Sequence, residues 1–239
     1  MRSLSRILLA CSAVAATAVV GVPAASASTS AGLLDSCAAL HSFLPGVPDG
    51  EYTLATNHSL LGVYCYDMAG KPREYLDLTN VGAGANFSQY TAGGASPGTN
   101  VRTSFTKLRV DPQTLTVDIN DLTFAKSTGT LNHGGQSVTS MPYAVAMGCG
   151  SQGVGNIDLR GTAFSVANAF QSGGFQANGT ATPTSNGQAV DLSGGGFCGW
   201  IAPAPGLYNP FNPQGANSIL KLRCTPDGLF RPQICLDLG

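Results

Sequence analysis

The chain has 239 residues, 12 basic and 13 acidic side chains and a formal net charge of −1, with only 10% of its residues charged. The Lys and Arg residues are scattered and form no basic run, so charge excludes nucleic acid as a partner. Solubility must rest on abundant Gly, Ser, Thr and Asn, a composition that suits a loop-rich extracellular β protein better than a helical one.

Residues Met1 to Ala27 read as a signal peptide: Arg2 and Arg6 supply the positive end, Ile7 to Val22 are mostly apolar, and Ala25-Ser26-Ala27 is a small-residue cleavage site. Cleavage after Ala27 predicts an exported, secreted chain. No later run approaches the ~20 apolar residues that cross a bilayer, so no membrane span is expected in the mature chain. Cys11 precedes the end of the apolar region, which argues against a lipid anchor. The remaining cysteines are Cys37, Cys65, Cys149, Cys198, Cys224 and Cys235. In an exported chain disulfides are the default, but six cysteines allow 15 pairings and spacing alone does not choose among them.

Leu33 to Phe43 carry apolar residues at helical spacing, with Pro45-Gly46 as the stop, and predict one short helix near the N-terminus. Pro48-Asp49-Gly50 is turn chemistry, and it leads into a strand over Glu51 to Leu54 that would pair with Leu61 to Tyr66. Val101 to Val110, Thr114 to Ile119 and Leu122 to Phe124 read as a meander, with Asp111-Pro112-Gln113 as its first turn. Further strands are expected at Ala144 to Met147, Asn156 to Leu159, Ala163 to Val166, Gln188 to Leu192 and Ser218 to Leu222. The Gly- and Ser-rich stretches Val81 to Ala85, Thr91 to Thr99, Thr130 to Ser140 and Gln171 to Gly187 predict long surface loops. The fold class is therefore mainly β, with antiparallel sheets, one helix and a loop-rich surface. Residues 28–202 form one domain in this reading, and residues 203–239 form a cysteine-bracketed extension packed on it.

Catalytic motifs are scarce. A zinc protease needs HExxH or an equivalent ligand set, whereas His41, His58 and His133 are isolated in sequence and read as surface or loop histidines. Gly94-Ala95-Ser96-Pro97-Gly98 has the outline of a serine elbow, but Pro97 and the loop composition oppose it. Glu51 and Glu74 are the only glutamates. A carboxylate pair of this kind could hydrolyse a glycoside, although salt bridges to Arg73, Arg102 or Arg109 are the expected role. Asp118, Asn120 and Asp121 match half of a calcium loop and lack its Gly and closing Glu. Trp200, next to Cys198 and near Tyr208 and Phe211, could form an aromatic platform for a glycan or peptide, or pack as core against a disulfide. Asn57-His58-Ser59, Asn86-Phe87-Ser88 and Asn178-Gly179-Thr180 are sequons, taken as loop markers because the leader is of bacterial type.

One register of motifs runs through most of the chain. It comprises Ser36-Cys37, Pro48-Asp49-Gly50-Glu51-Tyr52-Thr53-Leu54, Val63-Tyr64-Cys65, Pro72-Arg73-Glu74-Tyr75-Leu76, Asn86-Phe87-Ser88, Arg102 to Pro112, Phe124-Ala125-Lys126, Met141-Pro142-Tyr143, Gly148-Cys149, Ile157 to Thr162 and Gly195-Gly196-Phe197-Cys198-Gly199. In order and spacing it resembles the GON domain, the C-terminal module of secreted zinc metalloproteases of the ADAMTS type. The stretch from Ser36 to Met68 is also similar to the start of fibrinogen-like domains, and that likeness stops near residue 68.

The GON resemblance, together with the nearness of the partners in sequence, implies the pairs Cys37–Cys65, Cys149–Cys198 and Cys224–Cys235. It also implies a stand-alone ancillary module. The zinc and the metalloendopeptidase activity associated with the family belong to a protease domain that this chain lacks, so no cofactor is expected here beyond calcium as an option. The expected function is a non-catalytic binding module for an extracellular protein or glycan, and the alternative is a secreted hydrolase working through a carboxylate pair.

Overall fold

The computed structural model describes residues 34–56, 59–206, 218–228, 231 and 233–238. The leader, His58, Tyr208 and Phe211 lie outside these residues. Two large curled sheets and a separate two-stranded one carry the described residues, among which no helix is long and apolar enough to cross a membrane.

The first sheet orders β1 (Gly50–Ala55), β2 (Ser59–Tyr66), β3 (Arg73–Asp77), β6 (Lys107–Asp111), β7 (Thr116–Val117), β16 (Leu220–Cys224) and β13 (Phe164–Val166). β17 (Cys235–Asp237) adds to β2 through Cys235, Leu236 and Asp237. Strands on both sides of residue 203 thus build one sheet. The Cys224–Cys235 disulfide joins the two that lie beyond it.

The helix α1 (Cys37–Phe43) is capped by Ser36, whose hydroxyl accepts from the Ala39 amide. Residues Cys65 and Glu74 are partners on β2 and β3, so their side chains share one face. Both grip the first residue of the helix: Cys65 by a disulfide to Cys37, Glu74 by accepting from the Cys37 amide at 2.7 Å. Burial holds the Glu74 carboxyl above its ordinary range, against the pull of that amide. Glu74 therefore anchors a helix terminus, where the sequence suggested an arginine partner. Of the arginines proposed for it, Arg109 faces Asp118 and Asp121 at 3.6 and 3.8 Å, and Arg102 lies over the Phe87 ring at 3.3 Å.

The stretch expected as one strand over Val101 to Val110 breaks at Thr106 and serves both sheets. Thr106 donates its amide to the Phe124 carbonyl. Leu122 to Phe124 is not a strand but a turn, closed by the bond from the Ala125 amide to the Leu122 carbonyl, and Phe124 joins an aromatic cluster, edge-on to Tyr64, Tyr66 and Tyr75 at 4.8 to 6.1 Å.

The second sheet orders β11 (Ala146–Gly148), β15 (Ala189–Pro203), β12 (Gly153–Asp158), β4 (Phe87–Thr91), β5 (Val101–Phe105) and β8 (Ala125–Thr128), and β14 (Phe170–Thr184) pairs with β15. Its ladders are antiparallel except for β11 on β4. The largest departure from sequence expectation is β14. Most of the 171–187 stretch is not a loop but one arm of a hairpin with 15 residues on each side, and only residues 185–187 form its turn. Gly, Gln, Asn and Ser give it little strand propensity, and its ladder to β15, with two register shifts, supplies the order instead. The Thr130 to Ser140 stretch likewise contains a hairpin, β9 (Leu131–His133) and β10 (Gln136–Val138). Its two-residue turn places Gly134 and Gly135 both at positive φ, the conformation that such hairpin turns require.

Asn86 is 0% exposed and ties the interior of this sheet together. Its amide group donates to the carbonyls of Asn80 and Asp158, and its oxygen accepts from the Tyr143 hydroxyl and the Asp158 amide. It sits in the bend that leads into β4, where a loop marker belongs, and serves there as a core hub.

Asp158 is buried, and its carboxylate is gripped by the Arg160 guanidinium at 2.9 and 2.6 Å. Burial acts to raise its pKa, but the hydrogen bonds from Arg160 prevail and hold it below the usual carboxylate value. Folded Asp158 thus binds its proton less readily than the unfolded chain, so the pair stabilises at pH above the unfolded value of about 3.9 and its contribution disappears as pH falls through the folded one. Arg160 is 56% exposed, which screens the pair. We expect Arg160→Ala to lower stability at pH 7, with the difference from the parent chain narrowing as pH falls below the unfolded carboxylate value of about 3.9, measured by urea denaturation across pH.

Candidate functional site

Four elements meet at the end of the second sheet. β4 carries Tyr90, the 93–98 loop carries Ser96, β9 ends on His133, and Cys149 follows β11. The loop lies along β9 because Asn132 donates to the Pro97 carbonyl and Thr99 to that of Thr130. It can press against Cys149 only because Gly94 stands at φ +55, where a Cβ would come within 2.2 Å of the Cys149 carbonyl oxygen.

The result is a buried polar cluster against the Cys149–Cys198 disulfide. The Tyr90 hydroxyl meets His133 Nδ1, lies 2.5 Å from Ser96 Oγ and lies 3.0 Å from Cys149 Sγ. Ser96 Oγ donates to the same sulfur at 3.0 Å and stands 3.1 Å from His133 Nδ1. Burial raises the Tyr90 pKa and lowers that of His133, so both groups are neutral at pH 7. The sequence placed His133 among surface or loop histidines. It is buried instead, because Tyr90, Ser96 and Cys149 supply the polar partners that a core histidine needs.

The serine-elbow outline and a histidine do come together here. Ser96, however, is 0% exposed and spends its hydroxyl on the sulfur. A nucleophile must reach its substrate, and this one is sealed in the interior.

Outside the disulfide the chemistry changes. Cys198 is half-buried, and with Gly94, Ala95, Cys149, Gly150 and Phe197 it lines a dimple of about 50 Å³. Phe197 is 65% exposed and meets Phe175, 69% exposed, edge to face at 6.1 Å across the hairpin. The exposed amides Gln152 and Asn178 bond each other at 3.2 Å near the same rungs. Along the inner curve of the hairpin runs a groove of about 1020 Å³, with Phe170, Ala181, Val190 and Ile201 beside Asn186 and Arg223.

Trp200 belongs to the interior. It is 7% exposed, and its ring occupies the space that a side chain at Gly173, its cross-strand partner, would need. Of the two roles open to it in the sequence, the structure shows core packing behind the hairpin, two residues after the disulfide-bonded Cys198.

Glu51 and Glu74 do not meet. Glu51 is paired with Tyr64 and Tyr64 with Tyr75, which puts Glu51 on the face opposite Glu74. Asp118 and Asp121 face Arg109 at the margin of a separate cleft.

Fold and site define a disulfide-clamped β module in which no protease centre is assembled among the described residues. The family model described as GON domain matches residues 34–95 and 93–208. The chain belongs to the GON domain family, of which it represents a non-protease module. No curated protein matches it, and neither does any solved structure.

Sequence reading missed Phe175, Phe197 and the Tyr90 cluster. One signal was present: between Arg160 and Lys221 the only charged residue is Asp191, which sets two exposed phenylalanines in an otherwise neutral hairpin. We expect Tyr90→Phe to destabilise the chain by about 1–3 kcal/mol, because Ser96 and His133 lose a buried partner; thermal unfolding with the disulfides intact checks this.

Proposed function

We propose that this chain is a secreted, non-catalytic recognition module that binds a neutral extracellular glycan at the outer edge of the β14–β15 hairpin, around Phe175 and Phe197. The exposed aromatic pair is the observation that carries this reading. Two phenyl rings left in water forgo about 1.5–3 kcal/mol each, a cost that a ligand covering them would recover. Their neighbours Gln152 and Asn178 offer neutral donors and acceptors of the kind that pair with sugar hydroxyls, while rings pack against sugar C–H faces. The scarcity of charge on the hairpin disfavours a strongly ionic ligand. The six cysteines, all paired, and the leader-like first 27 residues support secretion.

The test is to incubate the purified chain with insoluble wall and matrix polysaccharides and to follow both retention and soluble products by mass spectrometry. Retention without products is the expected result, weakened at least tenfold in Phe175→Ala/Phe197→Ala, a loss of about 1.4 kcal/mol or more. The melting temperature should be unchanged, since both rings are exposed. Released fragments would instead favour the hydrolase alternative, and retention indifferent to both phenylalanines would remove this surface from the account.

A further inference from the structure

The buried cluster has a second property, independent of glycan binding. A ring nitrogen of His133 and the sulfurs of Cys149 and Cys198 all lie within 4.8 Å of one another, and His133 Nδ1 is 3.5 Å from Cys149 Sγ. In a tetrahedral zinc site, with Zn–S of about 2.3 Å and Zn–N of about 2.0–2.1 Å, adjacent sulfur and nitrogen ligands stand about 3.5 Å apart and two sulfurs about 3.8 Å apart. The histidine and Cys149 already hold that spacing. What prevents coordination is the bond between the sulfurs.

We propose that the Cys149–Cys198 disulfide is a redox-controlled metal site: its reduction frees two thiolates that, with His133, bind one zinc ion or a similar soft d¹⁰ cation. The surroundings are polarised for this. On one side, Cys198 is half-buried and lines the dimple, the side from which an external thiol would approach its sulfur. On the other side, the Tyr90 and Ser96 hydroxyls both stand 3.0 Å from Cys149 Sγ, where they stabilise negative charge on that sulfur as it leaves.

A dithiol reductant supplies the electrons. Its first thiolate attacks Cys198 Sγ, the S–S bond breaks, and the bonding pair departs on Cys149 as a thiolate. The second thiol of the reductant loses its proton and attacks its own sulfur in the mixed disulfide, which releases Cys198 as a thiolate and leaves the reductant as a cyclic disulfide. Two electrons have entered the pair, and two protons are released from the reductant to solvent or held by the new thiols until metal displaces them. Zinc then takes both sulfurs and His133 Nδ1. A hydroxyl of Tyr90 or Ser96, or a water, takes the fourth position, for both hydroxyls already crowd the nitrogen and the sulfur.

The full-length mature chain should be compared oxidised and after limited reduction by a dithiol, under anaerobic conditions. Mass mapping of alkylated cysteines identifies which pair has opened, and cobalt(II) serves as a spectroscopic stand-in for zinc. We expect no uptake by the oxidised chain. The chain opened at Cys149–Cys198 should bind one ion, with the thiolate-to-cobalt charge-transfer and tetrahedral ligand-field bands of a mixed sulfur and nitrogen site. His133→Phe should weaken zinc at least tenfold in competition with a chromophoric chelator while Cys149 and Cys198 still open. Cys149→Ala/Cys198→Ala should abolish uptake under either condition; if that variant fails to fold, the oxidised and reduced parent chain and His133→Phe decide the matter alone. The proposal is overturned by opening of this pair without stoichiometric metal, by metal affinity unchanged in His133→Phe, or by a reductant that opens the other two disulfides and leaves this one closed.

Discussion

The bend in β15 is the constraint on which the second sheet depends. Over residues 189–194 that strand pairs with β12, and over 199–201 it pairs with β11, so it must double back in the few residues between. The backbone there is so close that a Cβ on Gly199 would lie 1.9 Å from the Gly195 carbonyl oxygen, and one on Gly194 would lie 2.4 Å from that of Ala146. Only glycine fits such an approach. From that bend follow the joining of Cys198 to Cys149, the projection of Phe197 into solvent, and the mating of Gly173 with the Trp200 ring.

The disulfide in turn divides two kinds of chemistry. Its inner side faces neutral hydrogen-bonding groups that partner one another, and its outer side faces a dimple and a pair of solvent-exposed rings. An arrangement of this kind needs every inner partner in place, because a buried donor or acceptor left alone costs more than the bond it had made. The strong local requirement explains how a chain so poor in charge fixes a unique interior: tyrosine, serine, asparagine and histidine supply the directionality that ion pairs supply elsewhere.

How much of this could be read in advance depended on the residue pattern of each element. α1, β1 and β2 were legible because apolar spacing, the Pro48-Asp49-Gly50 turn and the two cysteines agree with one another. The three disulfide partners matched those that the family likeness implied. β14 was illegible because its residues have weak preferences of their own and take their order from a long-range partner, whose ladder periodicity does not register in a stretch of Gly, Asn and Gln. The break at Thr106 was hidden for a related reason: a continuous β-prone run does not reveal that its halves belong to different sheets. At the site, Cys149 was visible and its neighbours were not. Tyr90, Ser96 and His133 are separated by stretches with no common motif, and only the folding of the 93–98 loop against β9 brings them to one sulfur. Trp200 shows the converse, a residue conspicuous in sequence that the fold spends on packing.

The opposite environments of Asn86 and Asn178 have a practical consequence for making this protein. Both head an Asn-x-Ser/Thr sequence that a eukaryotic secretory pathway can modify. Asn86 is locked into the interior, so a sugar attached before folding would be incompatible with the sheet that closes over it. Asn178 stands in solvent close to the phenylalanine edge, where an attached oligosaccharide would shield that edge from any external ligand. Material from a host without N-glycosylation and material from one with it would therefore differ in folding yield through the first asparagine and in surface chemistry through the second.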